Sequence, residues 1–261
     1  MNTDLKQNKI YLASSPTRSF TRSLMDNQEM ENALCFSVAP TLDEVLDRTG
    51  PLPKKFLFFG QAEDELPVLL DLSNPLPGPV LIAGDAGAGK TNLLRVIARF
   101  VVSTQPADEI QYGVVTTCPQ EWEGLADVPH CIGVFSADEE SSVHFIQALA
   151  LWIGRSMMNN QAVLLIIDGL DQFIHQNHAV HDDIRKILLQ GPAKQIWPIV
   201  TINSSQYDSL WLKYFRTRVF GFTRHAEVID DFTTGFDSLA KGIEFSLKEN
   251  ARWTKFRIPR I

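Results

Sequence analysis

The sequence has little cysteine and no long apolar run. Its three cysteines, Cys35, Cys118 and Cys131, match no metal-binding or redox spacing, and so sparse a set is typical of a reducing compartment. No apolar run approaches the ~18–20 residues that a membrane-spanning helix needs, and the N-terminus lacks the apolar region of a signal peptide. We therefore expect a cytoplasmic protein without a membrane-spanning segment.

The chain also lacks an overall excess of basic residues, since 24 Lys and Arg stand against 31 Asp and Glu, for a net charge of −7. This excludes a protein that binds nucleic acid through its total charge. Basic residues do cluster late in the sequence, where residues 241–261 contain six of them and only two acidic ones. The cluster has two interpretations, a solvated hairpin or a surface for a polyanion such as nucleic acid.

What the sequence does contain is a strand, a glycine-rich loop and a helix in immediate succession. The apolar run over residues 79–84 is typical of a strand, and the loop from Gly84 to Thr91 reads G-x-x-x-x-G-K-T. A helical apolar pattern begins at Asn92 and continues through Phe100. This order of elements is the context in which that loop motif binds nucleotide phosphates, as a P-loop or Walker A motif.

The chemistry of the loop follows from its residue types. Glycines allow successive backbone N–H groups to form a concave anion site, and the start of the helix adds a partial positive charge. Lys90 is expected to reach the β- and γ-phosphates of ATP, and the Thr91 hydroxyl is expected to bind Mg²⁺. The candidate nucleotide-binding residues are Gly84, Asp85, Ala86, Gly87, Ala88, Gly89, Lys90, Thr91 and Asn92.

A second motif lies about 80 residues further on. The segment from Ala162 to Asp168 is a continuous apolar run that ends in a carboxylate, which is typical of a strand buried on both faces. Ligands of open α/β sheets bind at the carboxyl ends of such strands. We therefore predict that Asp168 is the Walker B aspartate and that it holds Mg²⁺ together with Thr91.

Further polar residues are candidates for catalysis. Many translocating ATPases carry a glutamate directly after the Walker B aspartate, where this chain has Gly169, so Asp171 is the nearest carboxylate that could orient the attacking water. Hydrolysis would be weak if Asp171 does not reach it. Asn203, which follows the apolar stretch 198–202, is a candidate sensor of the γ-phosphate, with a loop cap as the alternative. Arg216 and Arg218 are candidate arginine fingers acting in trans, or surface arginines at the start of a strand.

Apolar segments of strand type alternate with helical patterns across residues 79–222, which predicts a mainly parallel sheet with helices on both faces. The predicted strands of this α/β core cover residues 79–84, 112–117, 132–135, 162–167, 198–202 and 218–222. One helix is expected to open at Ser136, as its capping residue, and to run to about residue 158, and another is expected over 178–190.

The remaining segments are predicted to surround this core. Residues 1–33 are polar and are expected to form a flexible arm, with the ATPase domain over 34–261. A short strand over 34–38 precedes a helix, Leu42 to Arg48, that Thr41 caps. Residues 55–72 are predicted to form an accessory hairpin, and residues 242–258 a terminal β-hairpin.

With these motifs placed, the chain resembles the FtsK/HerA group of P-loop ATPases over residues 55–261. The loop Gly84–Thr91 is similar to those of FtsK-type motors and of the EccC ATPases of type VII secretion, and Asp168-Gly-Leu-Asp171 is similar to the Asp-x-x-Asp variants among EccC modules. The stretch from Tyr214 to Gly221 and the ending Phe256-Arg-Ile-Pro259 are similar to the tail of that group.

The resemblance implies a RecA-like core, ATP and Mg²⁺ as cofactors, and a homo-oligomeric ring that moves DNA or polypeptide through its centre. Two alternatives remain. One is a nucleotide-dependent switch of the STAND type, whose Walker B segment can also read Leu-Ile-Ile-Asp-Gly-Leu-Asp. The other is a weakly hydrolysing, ATP-binding subunit of a larger assembly.

Overall fold

The computed structural model describes residues 11–12, 39–50, 52–154, 161–206, 211–224, 239–249 and 252–261. The predicted arm over 1–33 lies outside the described residues except for Tyr11–Leu12, and the predicted strand over 34–38 lies outside them entirely. The domain boundaries proposed from the sequence therefore stay predictions. No helix within the described part is long and apolar enough to cross a membrane.

The described helices and strands alternate along most of the chain. In chain order they are β1 (Tyr11–Leu12), α1 (Leu42–Thr49), β2 (Phe56–Ala62), β3 (Pro67–Asp71), β4 (Val80–Gly84), α2 (Lys90–Thr104), β5 (Ile110–Thr116), β6 (Cys131–Ser136), α3 (Glu140–Ile153), β7 (Ala162–Asp168), α4 (Leu170–Gln176), α5 (His181–Gln190), β8 (Ile196–Asn203), β9 (Thr217–Phe220), β10 (Glu244–Glu249) and β11 (Arg252–Arg257).

The eleven described strands form one sheet in the order β1-β3-β2-β11-β10-β9-β4-β8-β7-β5-β6. All pairs from β9 to β6 are parallel, whereas all pairs from β1 to β9 are antiparallel. The predicted fold class is thereby confirmed, an α/β core with a mainly parallel sheet, an accessory hairpin (β2 and β3) and a terminal hairpin (β10 and β11). Each predicted core strand is present, with ends shifted by at most two residues.

Alternate residues of the core strands face different helices, as burial on both faces requires. In β7, Leu164 and Ile166 pack in the cluster that contains α2, whereas Val163, Leu165 and Ile167 pack in the cluster that contains α3, α4 and α5. Helices therefore cover both faces of the parallel half of the sheet. This packing fixes the carboxyl ends of β4, β7 and β8 at one edge.

The helix predictions are confirmed in part. Thr41 caps α1 in a capping box, because its hydroxyl accepts the Glu44 N–H at 3.3 Å and the Glu44 carboxylate accepts the Thr41 N–H at 2.8 Å. The hydrogen bond from the Thr41 backbone holds the pKa of Glu44 below its usual value. The helix predicted over 178–190 begins with a 3₁₀ turn at His178–Val180 and becomes α-helical at His181.

The prediction that Ser136 caps a helix is wrong. The helix α3 begins at Glu140, and no side chain caps it at Glu139. Ser136 belongs to β6, where it pairs with Thr116 of β5, and its hydroxyl donates to the Asp138 carboxylate. The strand ladder therefore keeps Ser136 extended, which delays the helix by one turn.

We predict that Gly113→Ala destabilises the protein. A Cβ at Gly113 of β5 would lie 2.8 Å from Cε1 of Phe145, which α3 packs onto the sheet. Such overpacking costs about 1–3 kcal/mol in the free energy of unfolding, measured by urea denaturation. The control is Gly154→Ala, where the nearest atom to the new Cβ is Leu151 O at 3.5 Å. Equal unfolding midpoints for the two variants would contradict the packing of α3 on β5.

Candidate functional site

The glycine-rich loop lies at the carboxyl edge of the parallel strands, between β4 and α2. Gly87 and Gly89 have φ angles of +74° and +85°, a conformation that glycine adopts without strain. Gly89 occupies the N-cap of α2 and no side chain caps this helix end. The first N–H groups of α2 therefore lack a side-chain acceptor, and they point toward the space where an anion would be bound.

Lys90 is held inside the loop by backbone oxygens. Its ammonium donates to Gly84 O at 2.8 Å and to Asp85 O at 2.9 Å. Burial lowers the pKa of Lys90, although the charges of Asp168, Asp171 and Asp85 act in the opposite direction. An incoming phosphate would therefore find a partly desolvated cation in place, and its negative charge would favour the protonated form.

The Walker B candidate is joined to the loop by a direct hydrogen bond. The Thr91 hydroxyl donates to Asp168 Oδ2 at 2.6 Å, although 77 positions separate the two residues. A hydroxyl and a carboxylate are hard oxygen donors of the kind that Mg²⁺ binds, usually with several waters. The donor set therefore fits the predicted Mg²⁺ site.

Thr201 orients Asp168, and the sequence analysis missed it. Its side chain in β8 is 1% exposed, its hydroxyl donates to Asp168 Oδ1 at 2.7 Å, and it accepts the Gly169 N–H at 2.8 Å. The available signal was one threonine within the apolar stretch 198–202. Both carboxylate oxygens of Asp168 thus accept hydroxyl hydrogen bonds from neighbouring elements.

Asp171 and Asn203 also lie at this edge. Asp171 is in the first turn of α4, partly exposed, and its charge acts on Lys90. Asn203 ends β8 in register with Gly84 of β4, and its Oδ1 accepts from the backbone N–H and hydroxyl of Ser205, both at 3.3 Å. The structure thus brings both predicted residues to the loop edge, and Asn203 also stabilises the turn that follows β8.

Asp85 connects the loop to two other segments. Its carboxylate accepts from the Ser204 hydroxyl, from Thr223 Oγ1 at 3.2 Å and from the Arg224 N–H at 2.9 Å. Its own N–H donates to Phe222 O at 2.9 Å. Asp85 therefore holds the loop against the ends of β8 and β9, a role that its position in the motif did not reveal.

Arg216 and Arg218 lie away from the loop of their own chain. Thr217, between them, is in register with Val80 at the amino end of β4, whereas the loop follows the carboxyl end. The Arg218 guanidinium donates to Phe215 O at 3.1 Å and to Leu212 O at 3.2 Å, whereas Arg216 is exposed. A role for either arginine would therefore have to be in another copy's site, and it stays a prediction.

The basic cluster of residues 241–261 is partly neutralised within the terminal hairpin. Glu244, 3% exposed, accepts from Arg257 Nε at 2.7 Å and from Lys255 Nζ at 3.1 Å. Lys248 lies over the Trp253 ring, with Nζ 5.3 Å from the centroid. These contacts give the cations structural partners, which fits the interpretation as a solvated hairpin.

Solved structures of other proteins share the fold of this chain. No protein-family model matches the sequence, and no curated protein matches it. The solved structure of EssC (ATPases 2 and 3) from Geobacillus thermodenitrificans is similar, with a TM-score of 0.68 and 12% identity, over 85% of this chain and 47% of that one. EccC (ATPases 2 and 3) from Thermomonospora curvata, in complex with a signal sequence peptide, has a TM-score of 0.63 and 15% identity, over 86% and 43%.

A third similar structure is the pCW3 conjugation coupling protein TcpA, in monomer form with ATPγS. Its TM-score is 0.63 at 15% identity, over 84% of this chain and 69% of that one. The chain spans less than half of the EssC and EccC structures. The fold that the resemblance to FtsK/HerA-type ATPases implied is thereby confirmed, because this chain shares a RecA-like fold with these structures.

We predict that Thr201→Val weakens Mg²⁺-dependent nucleotide binding. The valine removes the hydroxyl that orients Asp168, and loss of such an orienting contact typically costs about 10–100-fold in metal affinity. The measurement is the affinity for a fluorescent ATP analogue with and without Mg²⁺. Thr201→Ser keeps the hydroxyl and is the control. An unchanged effect of Mg²⁺ in Thr201→Val would contradict the role of Thr201.

Proposed function

We propose that this chain binds ATP with Mg²⁺ at the loop Gly84–Thr91 and hydrolyses it. The observation that carries the proposal is the 2.6 Å hydrogen bond from the Thr91 hydroxyl to Asp168, which unites the two sequence motifs in one site. Lys90, inside the loop, supplies the cation. The RecA-like fold, shared with ATPases, supports the same reaction.

The chain's residues would act by positioning and electrostatics. The N–H groups of Gly87 to Lys90 would bind phosphate oxygens, and Lys90 would stabilise the charge that develops on the transferred phosphoryl group. Thr91 and Asp168 would hold Mg²⁺, which neutralises charge on the β- and γ-phosphates when bound. Asp171 would orient the attacking water and accept its proton, and Asn203 would contact the γ-phosphate.

Slow hydrolysis is a second candidate function, and Gly169 is the residue that favours it. Its φ of +95° is unfavourable for any residue with a side chain, so a glutamate directly after Asp168 would be strained in this backbone. Asp171 would therefore have to orient the water. It lies two residues after Gly169, in the partly exposed first turn of α4. If it does so poorly, the chain is an ATP-binding switch or a structural subunit.

We extend the proposal to an oligomeric ring of the FtsK/HerA type that moves DNA or polypeptide. The EccC structure of this fold holds a signal sequence peptide, and TcpA is a conjugation coupling protein, so the fold supports either cargo. Arg216 is exposed at the edge of the sheet opposite the loop, a position from which it could reach the site of a neighbouring copy. The translocase hypothesis predicts that DNA or polypeptide changes ATP turnover, whereas the switch hypothesis predicts no such response.

We predict that Lys90→Ala abolishes ATP binding and that Asp171→Asn retains binding but loses turnover. General bases contribute about 10²–10⁴-fold, so the turnover of Asp171→Asn should fall at least about 100-fold. Steady-state hydrolysis is measured with duplex DNA, with an unfolded polypeptide and with neither, alongside the solution mass. Asp182→Asn is the control, because its carboxylate on α5 is 95% exposed.

Each result has one meaning. Wild-type affinity in Lys90→Ala would refute the site, and wild-type turnover in Asp171→Asn would mean that another residue orients the water. Stimulation by one polymer from a ring-sized particle would identify the cargo. Tight binding by a monomer without turnover would favour the switch or subunit.

We also predict that Arg216→Ala, inactive alone, regains turnover when mixed with Lys90→Ala. In a mixed ring, the Lys90→Ala subunits still supply Arg216 to neighbours whose loops are intact. The measurement is turnover as a function of mixing ratio, with the exposed Arg185→Ala as a control that stays active alone. Turnover of Arg216→Ala at the wild-type rate would remove Arg216 from the mechanism.

A further inference from the structure

A turn late in the chain lies directly on the glycine-rich loop. A Cβ placed on Gly87 would lie 3.2 Å from Lys241 Cε and 3.4 Å from Lys241 Nζ, and a Cβ placed on Gly89 would lie 2.6 Å from Gly242 O. The two loop glycines therefore provide clearance for this turn as well as backbone freedom. No motif in the sequence linked the segment that contains Lys241 to the loop.

The turn is fixed by a buried carboxylate. Glu244 accepts the Ala240 N–H at 2.8 Å, and the Ile243 and Glu244 N–H groups donate to Ala240 O at 3.2 and 3.0 Å. Burial raises the pKa of Glu244, but the hydrogen bonds from Ala240, Arg257 and Lys255 outweigh this and hold it below its usual value. The turn is thus attached to β10 and β11 and has a defined position over the loop.

The Lys241 ammonium has few partners among the described residues. Its Nζ lies 6.0 Å from the centroid of the Phe222 ring, and no described carboxylate forms an ion pair with it. Lys90, by contrast, is engaged by two carbonyl oxygens. An exposed cation beside an anion site is placed for an anionic ligand.

The sheet order determines from which side Lys241 approaches. β4 has β8 on one side and β9 on the other, and Lys241 lies in the connection from β9 to β10. Thr201, which orients Asp168, is on the β8 side. Lys241 therefore flanks the loop on the side opposite to the candidate Mg²⁺ site.

We propose that Lys241 is a second phosphate-binding lysine of this site, which contacts the phosphates shared by ATP and ADP from the β9 side of the loop. The proposal rests on the proposed function, because it requires nucleotide in the loop. A phosphate held by the N–H groups near Gly87 would lie close to the Lys241 ammonium, because Nζ is 3.4 Å from a Cβ placed on Gly87. A hydrogen bond between charged groups would strengthen binding.

The test compares Lys241→Met, Lys241→Arg and Lys213→Met in the full chain by titration with fluorescent ATP and ADP analogues. Lys213 is the matched control, since it is also an exposed lysine over an aromatic ring, 5.2 Å from the Tyr214 centroid. Lys241→Met should weaken ATP and ADP binding equally, by about tenfold, with a shallower salt dependence. Lys241→Arg should restore most of the affinity, and Lys213→Met should bind as the wild type does.

The outcomes separate this inference from the proposed function. If the wild type binds neither nucleotide, the proposed function fails. If the wild type binds, Lys90→Ala does not, and Lys241→Met matches the wild type, then only the role of Lys241 is refuted. Tighter binding by Lys241→Met would likewise overturn the inference, because it would mean that the turn obstructs the loop.

Discussion

The candidate site depends on the Asp168 carboxylate more than on any other group. Its two oxygens accept hydroxyl hydrogen bonds from Thr91 on α2 and Thr201 on β8, while the residue itself ends β7. One side chain therefore fixes the relative positions of three elements that are distant in sequence. The loop before α2 is held in turn by this bond, because Thr91 lies one residue after Lys90.

Two further carboxylates connect the loop to the later part of the chain. Asp85 accepts from residues after β8 and β9, and Glu244 holds the turn that places Lys241 and Gly242 on the loop. Both use their negative charge for structure, through hydrogen bonds from backbone N–H groups and neighbouring side chains. The loop is consequently supported from both sides of β4, which favours a preformed site.

The fold was largely predictable because local signals agreed with one another. Apolar runs located every core strand, the P-loop motif located the start of α2, and Thr41 as an N-cap located α1. The failures had tertiary causes and, for α4, a local one. Ser136 has the side chain of a helix cap, but pairing with β5 keeps it in a strand, and α4 has too few residues to show a helical pattern. Thr201 and Lys241 act across the fold, so no spacing in the sequence could reveal them.

The position of β11 has a consequence for the order in which the chain assembles during synthesis. This strand is made after the other described strands, yet it lies between β2 and β10, and β2 has only β3 and β11 as its described strand neighbours. The β2 edge of the accessory hairpin, which is made early, therefore stays unpaired until β11 emerges from the ribosome. Unpaired strand edges invite pairing with other chains. The nascent chain thus passes through an interval in which a molecular chaperone that covers the β2 edge would be of benefit.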